Sequence, residues 1–138
     1  MPEQKRLSLA GIGCGSRTRT YMKLAMEQKN RYRIAAAADP VKQRTEEERD
    51  SVRLFKDAAS LLAEPRLADV AIIGTQDDYH YAPCRKAMEL GYHVLLEKPI
   101  AKTLKEALEL RDTARLLKRR VAVCHVLRYT AFYKKVKE

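Results

Sequence analysis

The residues best suited to chemistry in this 138-residue chain are Glu97, Lys98 and Pro99, directly after the apolar run His93 to Leu96. A lysine at a strand end can hold a substrate hydroxyl and help move its proton once burial and neighbours lower its pKa. The same Glu-Lys pair also reads as a surface ion pair of little consequence, and spacing alone does not choose between the two. A second turn, Gly74-Thr75-Gln76-Asp77-Asp78-Tyr79-His80, closes the apolar run Val70 to Gly74. In an open α/β sheet both turns fall at the carboxyl ends of strands, where ligands bind.

A third turn carries a phosphate-binding pattern. Gly11-Ile12-Gly13-Cys14-Gly15-Ser16-Arg17-Thr18 lies between an apolar run and a helical stretch, the context that gives a G-x-G-x-x-G spacing its meaning. In that register Gly13 makes the tight turn, Gly15 opens the backbone to a pyrophosphate, and Ser16 and Arg17 begin the helix whose N-terminus faces it. Thr18 stands at the third glycine and predicts a slightly wider helix-strand contact. Asp39 closes the second apolar run, where a carboxylate accepts hydrogen bonds from ribose hydroxyls and repels a 2'-phosphate. NAD is therefore expected over NADP, with NADP kept open by Lys42 and Arg44 nearby. A simple helix cap after Pro40 is the alternative for Asp39. Cys14 reads as a small residue in a crowded turn, with an amide-activated thiol as its alternative.

Positioning these turns requires a regular alternation of strands and helices. Apolar runs fall at Leu7 to Ile12, Tyr32 to Ala38, Arg53 to Phe55, Val70 to Gly74, His93 to Leu96 and Val121 to Val126. Runs such as Val70-Ala71-Ile72-Ile73 lack polar alternation, as central parallel strands covered on both faces do. The expectation is an α/β fold, a single doubly wound parallel sheet of Rossmann type in the order 3-2-1-4-5-6. Helices are expected over Arg17 to Lys29, with Tyr21, Leu24 and Ala25 on one side, and over Asp78 to Leu90, ending at a left-handed Gly91. Thr103-Leu104-Lys105-Glu106 is a capping box that opens a helix to about Lys118, with Leu104, Ala107, Leu108 and Leu117 as its stripe. The segment Val41 to Val52, with its charge run Glu46 to Asp50, reads as a solvated helix face.

Composition bounds the remaining classes. Apolar residues make up 46% of the chain, charged ones 33%, and the net charge is +10. The basic residues are scattered and unaccompanied by interleaved aromatics or zinc spacing, so no nucleic-acid partner is expected. Cys14, Cys84 and Cys124 form no C-x-x-C pair, which suits a reduced, cytoplasmic setting. The six-residue run Leu7 to Ile12 is too short for a signal peptide or a membrane span. No metal site is expected: Cys124 and His125, adjacent on a strand, point to opposite faces. His93 reads as a satisfied structural histidine.

Gly13-Cys14-Gly15-Ser16-Arg17, Ala38-Asp39-Pro40, Thr75 through His80 and Glu97-Lys98-Pro99 together resemble the N-terminal domain of the Gfo/Idh/MocA family of NAD(P)-dependent sugar and cyclitol dehydrogenases. The resemblance covers essentially the whole chain. It implies that Lys98 is the catalytic lysine on the substrate hydroxyl and that Glu97 lies at the nicotinamide ribose and orients the lysine. Pro99 would shape the turn through a cis bond, and Thr75 and His80 line or support the cofactor pocket. Gln76 and Asp77 depart from the family's proline and asparagine. The segment from Cys124 to Ala131 resembles the lead into a second domain that supplies the general base and most of the substrate pocket. The expected organisation is thus a dinucleotide-binding domain at 1–127, then at 128–138 the start of a connection to an absent second domain. Such a fragment would bind NAD(H), meet a sugar or polyol only with that domain, and be inactive by itself. Tyr129 to Tyr133 would pack on that domain or another subunit, giving a homo-oligomer. A non-catalytic NAD-binding module completed by a partner is the alternative.

Overall fold

A computed structural model describes residues 5–41 and 51–138. The expected helix face at Glu46 to Asp50, and Lys42 and Arg44, lie outside the described residues. Six strands, β1 Leu7–Ile12, β2 Tyr32–Ala38, β3 Arg53–Phe55, β4 Val70–Ile73, β5 His93–Leu96 and β6 Val121–Val123, form one parallel sheet in the order β3-β2-β1-β4-β5-β6. The predicted order is the one observed.

Residue parity, reset in β2 where its register with β1 shifts between Leu9 and Ala10, sorts the core into two layers. Ala10, Ile12, Ala36, Ala38, Ala71, Ile73, Val94 and Leu96 face one side, with buried residues of α2 (Ala58–Leu62), α3 (Tyr81–Glu89) and α4 (Leu104–Leu116). Leu9, Ile34, Ala37 and Ile72 face the other, under Met22 and Ala25 of α1 (Ser16–Glu27). Both faces are covered there, so these strands need no polar alternation. Beyond α1, on its side of the sheet, an open apolar groove of about 610 Å³ runs along Leu9, Tyr21, Leu24, Val70, Leu95 and Ala122.

Helix boundaries follow their caps. Thr103 caps α4 with the reciprocal Glu106 contact, as its capping box predicts. α3 ends in a Schellman turn, Gly91 N–H to Met88 O and Tyr92 N–H to Ala87 O, with Gly91 at φ +94. α4 ends the same way, Lys118 N–H to Arg115 O and Arg119 N–H to Ala114 O, but here the left-handed residue is Lys118, φ +53.

Several expectations need correction. The single helix over Asp78 to Leu90 divides into a 3-10 turn at Asp77–Tyr79 and α3. The sixth strand stops at Val123, because its partner β5 ends opposite at Leu96; the chain then makes a 3-10 turn at Val126–Tyr129. The α4 stripe is displaced: Leu104 is 75% exposed and Leu108 39%, whereas Leu110 is buried, with Ala114 and Leu117 packed beside it. In α1 the buried positions are Thr18, Met22 and Ala25, while Leu24 sits at the rim of the groove. Two helices had no place in the sequence reading, the short α2 and α5 (Ala131–Lys137), the latter wholly exposed. No helix among the described residues is long and apolar enough to cross a membrane.

Candidate functional site

β1 delivers the chain into a turn that glycine alone can make. Gly13 has φ +77 and donates its N–H to Ala38 O at 2.9 Å. A Cβ at Gly13 would lie 2.6 Å from the Thr75 nitrogen, so the turn also presses against the end of β4. Gly15, the N-cap of α1, has open space where its Cβ would be, and no side chain caps the helix. Its uncapped amides therefore face a vacant approach, the cradle a pyrophosphate needs.

Thr18 is fully buried, and room for it comes from one glycine in β1 and one directly after β4. A Cβ on Gly74 would meet Thr18 Oγ1 at 2.2 Å, and one on Gly11 would meet Met22 Sδ at 2.8 Å. The Thr18 hydroxyl has no hydrogen-bond partner among the described residues. Cys14 is likewise buried, its thiol 3.6 Å from Ala38 O, as a small residue packed into the turn.

From this turn a cleft of about 660 Å³ extends along the carboxyl ends of the strands, lined by Gly13, Gly15, Asp39, Asp57, Thr75 and Tyr79 among others. Asp39 is buried and accepts the Val41 N–H at 2.7 Å, so it caps the turn after Pro40 while forming part of the cleft wall. The two readings of this aspartate are compatible. Ser16 and Arg17 are exposed on the first turn of α1 and are not in that lining.

The turns after β4 and β5 are tied together by His80. It is fully buried, with Nδ1 2.6 Å from Pro99 O and Nε2 3.1 Å from Thr75 O, and Thr75 Oγ1 donates to Tyr79 O. His80 thus supports the cleft wall from behind. The Lys98-Pro99 peptide is cis, as the resemblance implies.

Glu97 continues the parity of Leu95 and so turns toward α1. There one carboxylate oxygen accepts the Tyr21 hydroxyl and the other the Lys98 backbone N–H at 3.3 Å. Glu97 thus holds the main chain of Lys98. Lys98 is exposed and joins no ion pair among the described residues, so the bland surface-pair reading does not describe it either. Burial, the Glu97 hydrogen bond and Cys124 push the Tyr21 phenol above its ordinary 10.0, and burial raises the half-buried Cys124 thiol. Sequence reasoning gave Tyr21 only a packing role. Its contact spans 76 positions, and no local pattern marks it.

Asp57 is the other residue that went unnoticed, although Asp57-x-x-Ser60 is a readable capping box. His93 accepts the Arg120 N–H at Nδ1, a satisfied structural histidine. No group of three or more possible metal ligands occurs among the described residues.

Comparison with known proteins places this geometry among relatives. A family model described as an oxidoreductase family with an NAD-binding Rossmann fold matches residues 7–125. The uncharacterized oxidoreductase YdgJ of Escherichia coli (strain K12) is 28% identical over 129 residues, covering 94% of this chain and 36% of YdgJ. An oxidoreductase from Agrobacterium radiobacter, solved with NAD+, L-tartaric acid and magnesium, superposes with a TM-score of 0.83 at 26% identity, over 96% of this chain and 39% of that one. The WlbA dehydrogenase from Chromobacterium violaceum, solved with NADH and UDP-GlcNAcA, shares the fold at a TM-score of 0.86 and 24% identity, over 97% of this chain and 39% of WlbA. The chain therefore spans well under half the length of each.

Proposed function

This chain belongs to the Gfo/Idh/MocA oxidoreductase family, with its NAD-binding Rossmann fold, and from that premise we propose that it is the cofactor domain of a sugar or cyclitol dehydrogenase. The reaction class is hydride transfer to or from a secondary alcohol carbon. The observation that carries the reading is the junction of two features: the Gly13–Gly15 cradle with its cleft, and, tied to the cleft wall through His80, the Glu97-Lys98-Pro99 turn, whose ammonium joins no ion pair among the described residues.

Bound NAD would supply the ring that accepts or donates hydride. The chain's own groups then divide the remaining work. Gly13 makes the tight turn, and the uncapped backbone amides from Gly15 through Ser16 and Arg17 on the first helical turn face the pyrophosphate. Asp39 accepts ribose hydroxyls and disfavours a 2'-phosphate. Thr75 and His80 fix the wall, Glu97 serves the nicotinamide ribose, and Pro99 shapes the turn. Lys98, held at its backbone by Glu97, points its ammonium to a substrate hydroxyl oxygen and favours loss of that proton. Because the chain spans 36% of YdgJ, we place the general base and the substrate pocket outside these 138 residues, in further polypeptide or a partner subunit.

Calorimetric titration of the chain with NADH and NADPH tests the reading. Micromolar affinity for NADH, at least about tenfold tighter than for NADPH, is expected. No NADH binding below millimolar concentration by the folded chain would overturn it.

A further inference from the structure

Beyond the phosphate cradle, the cleft crosses the carboxyl ends of neighbouring strands in a fixed sequence. The glycine turn follows β1, Asp39 follows β2, and Asp57 follows β3, in the sheet order β3-β2-β1. A nucleotide laid outward from the cradle presents phosphate, ribose and base in the same order. Asp57 therefore stands at the base end.

Its chemistry is defined by its local structure. Asp57 caps α2: one carboxylate oxygen accepts the Ser60 N–H at 2.7 Å, and the Asp57 N–H donates to Ser60 Oγ at 3.3 Å. The second carboxylate oxygen has no hydrogen bond or ion pair among the described residues. Hydrogen bonds from the Ser60 backbone and side chain hold the carboxyl below its usual range, so at neutral pH the residue only accepts. The same cleft is lined by Ala58, Pro83 and the ring of Tyr79, 64% exposed, flat or apolar surfaces suited to a heteroaromatic ring.

We propose that Asp57 is a specificity residue that reads the exocyclic amine of the purine, so that the cleft selects a 6-amino base over its 6-oxo counterpart. The inference rests on the reading of the cleft as a dinucleotide site. An amine donates to the vacant carboxylate oxygen, whereas a 6-oxo group sets two acceptors against each other. The capping box fixes the aspartate before any ligand arrives, which reduces the ordering cost of the contact.

The test is calorimetry on the full chain with NADH and with reduced nicotinamide hypoxanthine dinucleotide, for the unsubstituted chain and Asp57→Asn. Asparagine caps helices as well as aspartate, and with its oxygen retained by Ser60 N–H it presents an NH2 donor to the cleft. The unsubstituted chain is expected to prefer NADH by about tenfold, and Asp57→Asn to reverse the order. Equal affinity for the two dinucleotides in the unsubstituted chain would overturn the proposal even if the variant does not fold. So would an unchanged preference in folded Asp57→Asn. Binding of neither dinucleotide by the unsubstituted chain would instead remove the cofactor reading, and this proposal with it.

Discussion

Thr18 and Gly74 form a matched pair at the floor of the phosphate turn. The hydroxyl takes the space a Cβ on Gly74 would need, at 2.2 Å. Gly74→Ala is therefore expected to cost about 1–3 kcal/mol, the ordinary penalty of overpacking, and Thr18→Gly in the same chain to recover most of it. Urea denaturation of the two single variants and the double measures this, and strictly additive losses would show that the pair is not coupled. At this scale the glycine pattern, Asp39 and Lys98 were legible because turn chemistry and charge are local properties of the sequence. The partner of Glu97 was not. The parity of β5 turns Glu97 toward α1, and only the packing of that helix decides that the hydroxyl of Tyr21 meets it.

The helices show how far local rules carry. Thr103 and Gly91 were readable because a cap and a left-handed terminus each have a residue signature, and both stand where those signatures put them. The end of α4 has the same hydrogen bonds as the end of α3 but holds Lys118 at φ +53, a conformation that costs an ordinary side chain about 1 kcal/mol. Lys118→Gly is expected to raise stability by about 0.5–1 kcal/mol, seen as a higher urea midpoint at unchanged slope. An unaltered midpoint would show that Lys118 bears no strain there. The buried stripe of α4 was misread because its apolar residues are more numerous than its buried ones. Where the helix rests on α3 selects Leu110 and leaves Leu104 in solvent.

Charge acts over the whole molecule. His93 lies at the amino end of β5, where burial first and then Arg119, Arg120 and Arg66 hold its pKa below the ordinary 6.5, opposed only weakly by Asp69. The unfolded chain therefore takes up a proton before the folded one does. This contribution to stability is complete above pH 6.5 and is lost as pH falls from 6.5 through the lowered folded value. Thermal melting from pH 7.5 down to 5 is expected to show a falling midpoint that His93→Gln flattens; an identical slope in the variant would assign it to other groups. The sequence alone determined the doubly wound parallel sheet, its strand order, the glycine cradle and the strand ends that carry Asp39 and Lys98, because strand runs, caps and crossover handedness are set by local residue types and chain connectivity. Only the tertiary structure decided that Glu97 turns to Tyr21, that glycines in β1 and just after β4 make room for Thr18, and that Asp57 shares one cleft with Asp39. Each depends on how distant segments pack, and packing is a property of surfaces brought together, not of any short stretch of chain.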